Sequence, residues 1–110
     1  MKVKSTVRFP EINEFTIAFF KTVLKAEKHF GLPITITSGN DSKHCINSFH
    51  YSNQAWDIRI NDISIEQAEA RRAFISADLG YKWDVIIERY ENHFNDHIHI
   101  ERDTRKHPER

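Results

Sequence analysis

The chain has 110 residues, one domain's worth, and its 16 basic side chains are matched by 16 acidic ones. That balance speaks against a basic nucleic-acid surface and against a metal-dependent nuclease, and 39% hydrophobic with 12% aromatic content excludes a disordered chain. A single cysteine, Cys45, excludes both an intramolecular disulfide and a thiolate-rich zinc site. No apolar run approaches the roughly 18 to 20 residues of a membrane span, and MKVKSTVRF has no apolar signal core. A soluble protein made in the cytoplasm without a signal peptide is the expectation.

Residues 1–9 can hold a short first strand. Pro10 suits the first turn of a helix, and Ile12, Phe15, Phe19, Val23, Ala26 and Phe30 recur at three- and four-residue steps. These predict an amphipathic helix over 11–30, stopped by Gly31 and Pro33. Ile34 to Thr37 alternate as a strand, and a polar loop follows from Ser38 to Asn47. Gln54 to Ile60 reads as a second strand. Ser64 and Gln67 form a capping box for a helix over 65–79, closed by Gly80. KWDVIIE, Lys82 to Glu88, predicts a strand, residues 90–95 a turn, and DHIHIE, Asp96 to Glu101, the last strand. Residues 1–102 form the expected domain and 103–110 a charged tail. The order predicts an α+β fold, an antiparallel sheet with helices on one face.

Strand period two then sorts the side chains. Trp56, Ile58 and Ile60 share one face, and Ala55, Asp57 and Arg59 the other. Ile98 and Ile100 oppose His97, His99 and Glu101 in the same way. If these strands are neighbours, Asp57 and His99 converge on the open face, and His50 reaches in from the loop before them. Two imidazoles, one carboxylate and an open fourth position match a catalytic zinc site with neutral imidazole and ionised carboxylate near pH 7. Each element alone has a plainer reading, as an exposed strand residue; their coincidence on matching faces argues for the metal.

At these residues the chain resembles a known family. SFHYSNQAWDI, Ser48 to Ile58, is similar to the SxHxxGxAxD signature of zinc peptidases that include D-Ala-D-Ala carboxypeptidases and dipeptidases and phage L-Ala-D-Glu endolysins. HIH in DHIHIE resembles that family's closing motif, and DSKHCINSFHYSNQAWDI is similar to the related stretch of the hedgehog domain. The resemblance covers about Ile34 to Glu101. It implies zinc held by His50, Asp57 and His99, Ser48 fixing the loop, and His97 and His44 lining the cleft and stabilising the oxyanion. The base that takes a proton from water is left open between Glu88, Asp96 and His93. Glu88 matches the glutamate of hedgehog-like members and Asp96 the acidic base of dipeptidases and endolysins, although alternation points Asp96 away from His99.

The implied activity is hydrolysis of an amide bond in a peptidoglycan stem peptide, by a phage or prophage lysin-type enzyme released to the wall by other means. The alternative is a catalytically silent zinc module of hedgehog-like fold serving binding or assembly. Two departures stand out. Asn53 replaces the glycine between histidine and aspartate, and it tolerates the left-handed backbone better than most residues. The substrate-binding arginine that follows the TSG-like strand end is missing, Asn40 and Asp41 stand there, and Arg59 is a substitute on the Asp57 face. Lys43, beside His44, reads as a solvated side chain.

Overall fold

The computed structural model describes residues 1–7, 9, 12–39 and 54–104. The elements run β1 (Lys2–Val3), α1 (Glu14–Phe30), β2 (Thr35–Ser38), β3 (Ala55–Arg59), α2 (Ile65–Leu79), β4 (Asp84–Glu88) and β5 (His97–Glu101). Among the described residues five strands make one sheet in the order β1-β2-β3-β5-β4. The fold is α+β, but the sheet is mixed: β1 and β2 pair in parallel, and the other pairs are antiparallel. The reason is connectivity. A hairpin can join antiparallel neighbours, whereas β1 reaches β2 through the helix α1, and such a crossover brings the second strand back in the same direction.

Helix α1 begins three residues later than the Pro10 signal suggests. Asn13 is its cap: its Oδ1 accepts from the N–H groups of Phe15 and Thr16, and Thr16 Oγ1 accepts from the Asn13 N–H. A side-chain acceptor at this position satisfies two of the four N–H groups a helix start leaves open, so the cap, not the proline, sets the boundary. Ile12 falls outside the helix and is 61% exposed. Gly31, at φ 71°, supplies the left-handed C-terminal turn that a residue with a Cβ resists. Helix α2 has the expected bounds, with the reciprocal Ser64–Gln67 capping box in place.

Phe19, Val23 and Ala26 from α1 and Ala68 and Ile75 from α2 join Ile36, Trp56, Ile58, Ile98 and Ile100 in a single buried cluster. Both helices therefore cover the same face of the sheet. Trp56 is fully buried, stacked on Phe19 at 4.8 Å between ring centroids and facing Trp83 at 6.1 Å. Lys25 on α1 pairs with Asp78 on α2, and Glu27 on α1 accepts from the Ile34 N–H where the chain enters β2. No helix among the described residues is long and apolar enough to cross a membrane.

Candidate metal centre

The face of the sheet opposite the helices carries the polar half of the alternation. In the β3–β5 register Asp57 stands opposite His99 and Arg59 opposite His97; in the β4–β5 register Glu88 stands opposite His97. One row across the sheet thus runs Glu88, His97, Arg59, and the next brings His99 against Asp57. Side chains on one face at directly opposed positions have Cβ atoms about 5 Å apart, close enough for short polar groups to meet.

They do meet. His99 Nδ1 lies 2.7 Å from Asp57 Oδ1, and His99 Nε2 lies 3.0 Å from Glu101 Oε1. His97 Nε2 lies 2.7 Å from Glu88 Oε1 and 3.6 Å from Asp57 Oδ1. One ligating atom from each of Asp57, Glu88, His97 and His99 lies within 4.8 Å of the other three. Four donors around a zinc ion at bond lengths of about 2.0–2.2 Å sit roughly 3.4 Å apart. The cluster is therefore close to the size such an ion needs, and its groups hydrogen-bond to one another.

Tautomers sharpen this picture. A carboxylate and a backbone carbonyl only accept, so a ring nitrogen facing either must carry hydrogen. His97 Nδ1 faces the Asn95 carbonyl at 3.0 Å, which fixes its hydrogen there and turns Nε2 toward Glu88 and Asp57. His99 is held from both sides. Burial pushes its ring toward the neutral form, but the hydrogen bonds and charges of Asp57 and Glu101 outweigh that and raise its pKa from 6.5 to about 10. In each ring one nitrogen is anchored outside the cluster, by Asn95 or Glu101, and the other faces into it. Metal-binding histidines are oriented in this way, the outer partner fixing ring and tautomer.

Asp96 stands apart from this group. It precedes β5, and its carboxylate turns into the 89–96 turn: Oδ1 accepts from the Tyr90 N–H at 2.7 Å, and Oδ2 faces His93 Nδ1 at 3.0 Å and Arg89 Nε at 3.4 Å. Burial would raise its pKa, but the Tyr90 N–H, His93 and Arg89 hold it below the usual carboxylate range. His93 sits at φ 59°, a left-handed conformation that histidine adopts more readily than most residues, and its ring is spent on Asp96. Of the three base candidates, Glu88 is the one in the cluster, and it is more open than Asp96, with its side chain 43% exposed against 7%.

His44, Ser48, His50 and Asn53, with Lys43, lie outside the described residues. Two neighbours of the cluster escaped the reading of site residues. Glu101 has the right parity, two residues from His99, but its role depends on the second ring nitrogen needing a partner. Tyr90 packs its ring 5.8 Å from that of His97. Burial and the charges of Glu88, Asp57 and Asp96 push its phenol up, so it stays a neutral donor beside three carboxylates. No protein-family model matches the chain, and neither a curated protein nor a solved structure matches it.

Proposed function

We propose that the protein is a zinc-dependent peptidase that hydrolyses an amide bond in bacterial peptidoglycan peptides. The observation that carries this reading is the convergence of Asp57, Glu88, His97 and His99 within 4.8 Å on the face of the sheet opposite the helices. The likeness of SFHYSNQAWDI and DHIHIE to the zinc-peptidase signatures supports it and names the substrate class.

In this proposal Asp57 and His99 hold zinc with His50, as the resemblance implies. Glu101 keeps the His99 ring oriented through Nε2, where it lies 3.0 Å away. Zinc, when bound, would polarise the scissile carbonyl and make water acidic enough to attack near neutral pH. Glu88 takes the proton from the attacking water; it is the more open carboxylate of the cluster and lies 2.7 Å from His97 Nε2. His97, anchored at Nδ1 by the Asn95 carbonyl, presents Nε2–H to the developing oxyanion or passes that proton to the leaving amine. His44 would assist from the loop.

The test is mass spectrometry of muropeptides after digestion of purified peptidoglycan with zinc-loaded protein. New amino termini at one bond type, absent with Glu88→Gln, are expected. Intact muropeptides in the presence of stoichiometric bound zinc would leave a metal-binding module in place of a peptidase.

A further inference from the structure

The cluster holds one ligating group more than a catalytic zinc site needs. Catalytic zinc keeps three protein ligands and an open fourth position, whereas a zinc with four protein ligands is closed. Asp57, Glu88, His97 and His99 supply four ligand atoms within 4.8 Å of one another, all from the neighbouring strands β3, β5 and β4. His50 lies outside the described residues, so this set stands without it. The separations of His97 Nε2 from Glu88, 2.7 Å, and from Asp57, 3.6 Å, fall on either side of the roughly 3.4 Å between the donors of a tetrahedral zinc.

His97 is oriented for ligation as fully as His99. Each ring has one nitrogen held outside the cluster, His97 Nδ1 by the Asn95 carbonyl and His99 Nε2 by Glu101. A neutral ring with its hydrogen on Nδ1 carries a lone pair on Nε2, the form in which imidazole binds a metal. That atom cannot ligate zinc and donate a hydrogen to an oxyanion at the same time. Glu88 is divided in the same way, because a carboxylate bound to the metal does not take a proton from water. We infer that, without substrate, zinc is held in a closed resting set of Asp57, Glu88, His97 and His99, and that Glu88 and His97 leave the metal when the water-activating arrangement with His50 forms. Asp57 and His99 belong to both arrangements. Glu88 is the member placed to leave: it lies on β4, the last strand in the sheet order, and its side chain is the most open of the four. A peptide that displaces it opens the fourth position and frees the base together. The inference rests on the peptidase reading for calling the closed set a resting form, but the ligand set itself is measured apart from cleavage.

The experiment is nitrogen NMR of the histidine rings in the full chain, with and without one equivalent of zinc, beside calorimetric zinc titrations of three variants. In the wild type, His97 Nε2 and His99 Nδ1 are expected to shift together as metal-bound nitrogens. His97→Ala and Glu88→Ala should each weaken zinc about tenfold or more, and His50→Ala by less than about tenfold. A His97 Nε2 that does not move on zinc loading would overturn the closed set. So would undiminished affinity in His97→Ala and Glu88→Ala, or loss of zinc binding by a folded His50→Ala. The wild-type spectrum decides the matter even where a variant fails to fold. Zinc on His97 with no muropeptide cleaved would fall on the peptidase reading and leave the ligand set standing, whereas cleavage with His97 unmoved would strike the ligand set alone.

Discussion

Strands β3 and β5 show two faces built from alternate residues of the same short segments, and different forces hold them. The inward face, Trp56, Ile58, Ile98 and Ile100, is fully buried against both helices and needs only apolar volume and close packing. The outward face, Asp57, His97, His99 and Glu101, is half-buried and consists of groups that each demand a partner. What stabilises the first is removal of surface from water. What stabilises the second depends on protonation and on a cation. The difference teaches that one strand pattern can supply a scaffold and a chemical centre at once, and that the two should fail independently.

The largest expected effect is on the inward face. Trp56→Ala removes a fully buried indole stacked on Phe19 and should destabilise the protein by about 3–5 kcal/mol in a urea titration. Whatever fraction remains folded should bind zinc as the wild type does. A variant that is as stable as the wild type would break the assignment of this face as the packing core.

The outward face should reveal itself through pH. In the metal-free protein the His99 pKa stands at about 10 against an ordinary 6.5, so the native state holds that proton more tightly than the unfolded chain. Its stabilisation is complete below about pH 6.5 and is lost as pH rises toward 10. Asp96 acts in the opposite sense: its carboxyl is held below 3.8, so its contribution is present above that value and is lost on acidification. Metal-free protein should therefore lose stability on the alkaline side, in thermal melts across that window. In the proposed zinc site the metal would take the place of the His99 proton, so the loaded protein should lack this loss and zinc affinity should rise over the same interval. Melts of the metal-free protein that are flat from pH 6.5 to 10 would contradict the pairing of His99 with Asp57 and Glu101.

A smaller effect separates outer partner from ligand. Glu101→Gln keeps an acceptor near His99 Nε2 but removes the charge, and should weaken zinc by about 10–100-fold. An unchanged zinc affinity would mean that Glu101 does not orient the ring.

Much of this architecture was legible because it rests on period. Alternation in Ala55–Ile60 and His97–Glu101 separates Trp56 and Ile58 from Asp57 before any partner strand is known, and the Ser64–Gln67 box marks the start of α2 to the residue. The parts that were not legible depend on pairing and on side-chain rotation. Two residues of β1 carry no period, so their parallel pairing with β2 follows from the crossover alone. Pro10 and Asn13 are both good starts for a helix, and only the hydrogen bonds of Asn13 choose between them. Asp96 looked like a strand residue of the wrong parity. Its carboxylate is instead spent inside a turn whose left-handed residue, His93, no alternation pattern announces. Glu101 had the right parity, but its value lies in the second nitrogen of His99.

The most direct test of the outward face as a metal centre is a calorimetric titration of the metal-free protein with zinc at pH 7.5 or so, set beside Asp57→Ala. Asp57 contacts His99 at 2.7 Å and lies within reach of His97, so it is the residue that joins the cluster. One zinc per chain is predicted for the wild type, with affinity reduced at least about 100-fold in Asp57→Ala and an unchanged circular dichroism spectrum. Absence of zinc binding by the wild type, or undiminished binding by the folded variant, would contradict the account.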